Sequence, residues 1–189
     1  MNDSFLTQFT NKATKAHKKS ADYFKAQDYM GFLAGYFEEG YFRTLAFAVN
    51  GDDHEVYNGE GGQPLEVINR FWSFFKIEKQ GYSKVAQTLK KMGKLEKIPE
   101  IEAAIERFFN DYSTDLIALS NKSTQIYRTL MNMSTWEKME KGLNNNVNEE
   151  VDATDKLFIE DKVSMGIINR RKTPANINRL IKEIQDILA

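Results

Sequence analysis

The sequence predicts an all-α protein, a single-domain bundle of about seven or eight helices. Apolar residues return every three or four positions in nearly every segment, and no run alternates apolar with polar residues as a half-buried strand does. Helix punctuation points the same way, with Ser, Asp and Pro where helices would start and Gly or Asn where they would end.

Phe5, Phe9, Ala13, Ala16, Ser20 and Phe24 lie at helical spacing and predict a first helix over about residues 4–26. Asp28 is placed to cap a second, over about 29–49, that is apolar on most sides. Gly31, Gly35 and Gly40 interrupt it. Each costs up to ~1 kcal/mol against Ala in a helix interior, so their presence predicts a neighbouring helix packed close against them. This helix is therefore expected at the centre of the core. Asn50 to Gln63 reads as a loop, and Pro64 suits the first position of a third helix ending at Gly81. Ser83 opens a shorter helix and Pro99 another, with Ser113-Thr114-Asp115 expected to break and recap the chain before a helix that runs to about Met133.

Ser134-Thr-Trp-Glu137 has the spacing of a capping box. The stretch 148–165 is ambiguous, since Leu157-Phe158-Ile159 suits a helix or a short strand. Thr173 and Pro174 introduce the last helix, whose stripe of Ile177, Leu180, Ile181, Ile184, Ile187 and Leu188 must dock on its own domain or pair with a partner, a second copy included. The asparagine run near 144–148 divides a helical body, 1–143, from a C-terminal helical segment, 144–189, expected to pack on it.

Composition narrows function. An apolar fraction of 41% and an aromatic fraction of 12% suffice for a core without staples. With 26 basic against 27 acidic residues, the chain is not built to coat DNA, although a local basic patch is compatible with it. No cysteine is present, which removes disulfides, thiolate catalysis and Cys-based zinc sites. The start is polar rather than signal-like, and the least charged stretch, 29–49, carries Glu38, Glu39 and Arg43; a cytoplasmic, non-membrane protein is expected.

Several constellations are candidates for chemistry. Glu38 and Glu39 sit together on the most apolar helix, so at least one is expected near the core, with Arg43 as its partner one turn on. His17 lies on a lysine-rich face and reads as a surface histidine. Asp52-Asp53-His54-Glu55 reads as a solvated acidic loop, and Gly59-Glu60-Gly61-Gly62 lacks the strand and Lys of a phosphate loop. No metal or cofactor is expected. Two basic clusters stand out: seven lysines between Lys76 and Lys97, including Lys90, Lys91 and Lys94, and the group Arg170, Arg171 and Lys172. Either could meet nucleic acid or an acidic partner.

Ala21-Asp-Tyr-Phe24 with Asp28-Tyr29 resembles one tetratricopeptide unit, unrepeated in the chain. The same hairpin, with Glu38-Glu39, is similar to the HEPN class of helical bundles, many of which carry an Arg followed within several residues by a His for RNA cleavage. Here Arg43 is followed only by His54, so the resemblance implies a distantly HEPN-like protein without the catalytic motif. Lacking catalytic signatures, the chain reads first as a non-enzymatic protein-interaction module of adaptor or inhibitor type, using an aromatic-rich surface. The alternative is a nucleic-acid-binding protein using residues 76–97 or the Arg170 cluster. A carboxylate enzyme around Glu38, Glu39 and residues 52–55 comes third.

Overall fold

A computed structural model describes residues 4–50, 62–77, 83–141, 147–172 and 175–189; the side chains of 62–64, 147–153 and 169–175 lie outside that description. Among the described residues every regular element is helical: nine α-helices and one short 3-10 turn at Leu95–Lys97. None of these helices is long and apolar enough to cross a membrane.

Helix α1 (Phe5–Lys25) starts where Ser4 Oγ accepts the Thr7 amide at 3.0 Å. It buries Phe5, Phe9, Ala13, Ala16 and Ser20, the stripe that its periodicity marks. The chain reverses through Ala26-Gln27-Asp28, with Gln27 at φ 60° and the Asp28 amide donating to Tyr23 O. Asp28 Oδ1 then accepts the Gly31 amide at 2.9 Å and opens α2 (Tyr29–Val49). Helix α2 is the centre of the core. It buries Phe32, Leu33, Phe37, Tyr41, Phe42 and Leu45, and meets helices on several sides because its glycines allow it. A Cβ at Gly35 would lie 2.9 Å from Ser20 Cβ on α1, and one at Gly40 would lie 2.6 Å from Phe74 Cβ.

That second contact comes from α3 (Gly62–Phe75), which ends six residues earlier than Gly81 suggests; residues 78–82 are outside the description. Helix α4 (Lys84–Met92) is capped by Ser83 and closed by Gly93 in the left-handed region, φ 67°. Helix α5 (Ile98–Asn132) runs 35 residues without interruption, so the expected break at Ser113-Thr114-Asp115 is absent. Tyr112, Leu116, Leu119, Ser120 and Ser123 keep one buried stripe through that point, and continuous burial outweighs the turn preference of three short polar residues. The helix spans about 50 Å at 1.5 Å per residue and serves as the second axis of the bundle.

After α5 come α6 (Thr135–Glu140), α7 (Val147–Glu160), α8 (Lys162–Lys172) and α9 (Ala175–Leu188). Residues 157–159 belong to α7, with Phe158 fully buried edge-on to Phe5, which resolves their ambiguity in favour of helix. Helix α9 docks on α5 and α2 and buries Ile177, Leu180, Ile184 and Leu188, so its apolar stripe is satisfied within the chain. Between the two axes stands a column of rings: Phe71 stacks on Phe75 at 4.2 Å, Phe108 on Tyr112 at 5.3 Å, and Tyr112 meets Tyr41 at 5.5 Å.

Gly35→Leu should lower stability by about 1–3 kcal/mol through overpacking against Ser20. Gly166→Ala, at an exposed position of α8 where a Cβ meets nothing within 4 Å, should be neutral or gain up to ~1 kcal/mol. Urea denaturation of both variants checks the pair. At the α7–α8 junction, a hydrogen bond from Lys122, then amides at the start of α8, hold the Asp161 carboxyl below the usual range. A lowered folded-state pKa contributes stability above the unfolded value, lost as pH falls through the folded one. Asp161→Asn should therefore be less stable than wild type at neutral pH and should match it in strong acid.

Candidate functional site

The short turn after α1 makes α1 and α2 antiparallel, and the glycines set their register. Tyr23 lies against Gly31 and Ser20 against Gly35, while Lys12 reaches the Phe42 ring. One turn back from Ser20 is His17, and one turn on from Gly35 is Glu39, so these two residues meet. His17 Nδ1 and Glu39 Oε2 are 3.0 Å apart, and Arg43 Nε donates to Glu39 Oε1 at 2.8 Å. The Glu39 side chain is only 8% exposed, against 54% for His17 and 39% for Arg43. Of the two adjacent acids, then, Glu39 is the buried one and Glu38 is half-buried. As a carboxylate Glu39 only accepts, so His17 donates from Nδ1 and keeps Nε2 for another partner.

Above this trio lies a cleft of about 610 Å³. Helix α1 contributes His17 and Ser20, α2 contributes Tyr36 and Glu39, and α3 contributes Trp72 and Phe74. Lys76, Ser83 and Lys84 close it from the end of α3 and the start of α4. Gly40 positions one wall, because it lets the Phe74 side chain approach the α2 backbone. Burial, and next the negative charge of Glu39, push the Tyr36 phenol above its ordinary value, so it stays a neutral donor. Both oxygens of Glu39 are engaged, which makes the carboxylate an anchor rather than a free base.

The lysines of the lysine-rich segment have different neighbours. Lys76 and Lys84 turn to the cleft. Lys91 lies over the Phe24 ring at 4.5 Å and near Tyr29 at 5.9 Å, and Lys97 pairs with Glu100. Lys90 is exposed and Lys94 half-exposed. Arg170, Arg171 and Lys172 close α8, but their side chains are outside the description, as are residues 52–55 and 59–61 and the acidic-loop and glycine-loop readings placed there. Among the described residues no three His, Asp or Glu side chains are grouped to hold a metal ion.

The aromatic side chains separate sharply. Tyr41 is fully buried and Trp72 half-buried, whereas Trp136 is 68% exposed. Met139, three residues on and on the same face of α6, is 64% exposed. Helix α6 is short but pinned: Ser134 Oγ accepts the Glu137 amide at 3.2 Å and Glu137 Oε2 accepts the Ser134 amide at 2.8 Å. That backbone hydrogen bond, foremost, holds the Glu137 carboxyl below its usual range.

Sequence reasoning paired Glu39 with Arg43 but left out His17 and the whole cleft. The signal for His17 lay in two patterns taken together: small residues Ala13, Ala16 and Ser20 on one helix, and glycines at matching spacing on the next. No family model matches the chain, and no curated protein or solved structure does either.

Removal of a buried charge-assisted acceptor should show in stability. Glu39→Ala is expected to cost about 1.5–3 kcal/mol, while Glu38→Ala should stay within about 0.5 kcal/mol. Chemical denaturation of the two variants separates the adjacent acids.

Proposed function

We propose that the chain is a non-enzymatic protein-interaction module: a cytoplasmic, single-domain helical bundle that docks a protein partner through the exposed face of α6. The observation that carries this reading is the exposure of Trp136 and Met139 on a helix whose start is fixed by a two-way cap. Tryptophan is over-represented among the side chains that dominate interface energetics, and methionine adapts to the contour of a partner. A helix start already fixed by its cap loses little backbone freedom on binding. The charges around it, Glu137, Lys138, Glu140 and Lys141, are mixed in sign and suit the polar rim of a protein interface better than a phosphate backbone. Glu39, one of the acids of the carboxylate-enzyme reading, has both oxygens engaged by His17 and Arg43.

The nucleic-acid reading keeps one supporting observation: Lys90 and Lys94 have no carboxylate partner among the described residues. Both readings meet in one experiment. The tagged protein is used to capture partners from extract of its own host, with and without nuclease, alongside Trp136→Ala/Met139→Ala and Lys90→Glu/Lys91→Glu/Lys94→Glu variants. Docking through α6 predicts capture that survives nuclease and is lost in the Trp136→Ala/Met139→Ala variant. Capture that persists in that variant contradicts the proposal. Capture abolished by nuclease and by the lysine reversals transfers the function to nucleic acid.

A further inference from the structure

The cleft over Glu39 has the charge balance of an anion site. Glu39 is the acid in its wall, and it is already held by Arg43 and His17. Lys76 and Lys84 reach the same cleft, and neither pairs with a carboxylate among the described residues. Their charge therefore remains for a ligand. Neutral donors stand beside them. Ser83 Oγ accepts the Ala86 amide and so has its own proton to give, and Tyr36 is kept neutral. Two ammonium groups with two neutral hydroxyl donors match a phosphate monoester, which presents three acceptor oxygens and close to two charges.

The opposite wall is apolar and aromatic. Trp72 is braced against Phe109 at 4.9 Å and edge-on to Phe71 at 5.2 Å, and Phe74 is seated on Gly40. Held aromatic faces accept a flat ring. A volume of about 610 Å³ lies within the range of roughly 300–1,000 Å³ that small-molecule sites occupy. We propose that this cleft binds a small aromatic phosphate of nucleotide size, with the phosphate between Lys76 and Lys84 and the ring against Trp72 and Phe74. The site is separate from the α6 face, so either proposal can fail without the other.

The chain has two tryptophans, so Trp136→Phe leaves Trp72 as the sole indole reporter. In that background, Trp72 fluorescence is titrated at low salt with adenosine monophosphate, guanosine monophosphate, adenosine, inorganic phosphate and a short single-stranded oligonucleotide. Saturable quenching is expected from at least one monophosphate, with a dissociation constant below about 1 mM. Adenosine and inorganic phosphate should each bind about tenfold more weakly or worse. Lys76→Ala/Lys84→Ala should weaken the monophosphate by about tenfold or more, with circular dichroism unchanged because both side chains are exposed. The proposal is overturned if neither monophosphate gives a saturable response, if adenosine or inorganic phosphate binds as well as they do, or if the double variant binds equally. It is also overturned if only the oligonucleotide binds, which would assign these lysines to a nucleic-acid surface.

Discussion

At Gly35 the backbone of α1 comes so close to α2 that a methyl group there would sit 2.9 Å from Ser20 Cβ and 3.1 Å from Ser20 Cα. A contact this tight cannot slide. Moving one helix past the other by a residue would bring Tyr36 or Ala34 to the contact in place of Gly35, and neither leaves room for backbone. The register of the hairpin is therefore set by the absence of a side chain. Three glycines within a helix carry an intrinsic penalty, but here each marks a place where another element reaches the α2 backbone: Tyr23 at Gly31, α1 at Gly35 and α3 at Gly40. The Ser20 hydroxyl adds to the lock by donating to Phe32 O at 3.2 Å.

Electrostatics follow from that register. Glu39 lies one turn beyond Gly35 and is driven inward by its helix, where a lone carboxylate would be costly. Arg43 answers from the same helix and His17 from the facing one, so one partner is local and the other depends on how the hairpin closes. The trio is thus structural first, and two of its members, His17 and Glu39, also line a cleft whose remaining charge comes from Lys76 and Lys84. Packing on the other side is aromatic: Phe37, Phe71, Phe75, Phe108 and Tyr112 tie α2, α3 and α5 together through ring contacts that need no register of their own. The α6 face stands apart from this core, held by Ser134 and Glu137 alone among its caps.

Local rules were legible because their physics is local. The caps at Asp28, Ser83 and Ser134 and the buried stripe of α9 involve residues within a turn of one another, or a periodicity within one helix. Ser113-Thr114-Asp115 misled because turn propensity is weak beside a buried face that continues from Tyr112 through Leu119. In the Lys76–Lys97 cluster two lysines line the cleft, one covers Phe24 and one pairs with Glu100, neighbours that charge adjacency in sequence does not reveal. His17 is a surface residue, as its lysine neighbours suggest, but its partner is twenty-two positions away across a helical hairpin. The cleft, built from four helices, has no signature within any one of them.

The hairpin register is the claim on which the others rest, and the imidazole of His17 reports it directly. Free histidine in water keeps its neutral proton mainly on Nε2, whereas a ring seated on the Glu39 carboxylate must carry it on Nδ1. Nitrogen-15 NMR of the imidazole in a His54→Gln protein, where His17 is the one histidine left, distinguishes the two tautomers. The account predicts an Nδ1–H neutral ring that reverts towards Nε2–H when Glu39 is replaced by Ala. An Nε2–H ring in the Glu39 protein would show that His17 does not face Glu39, and the register drawn from Gly35 would be wrong.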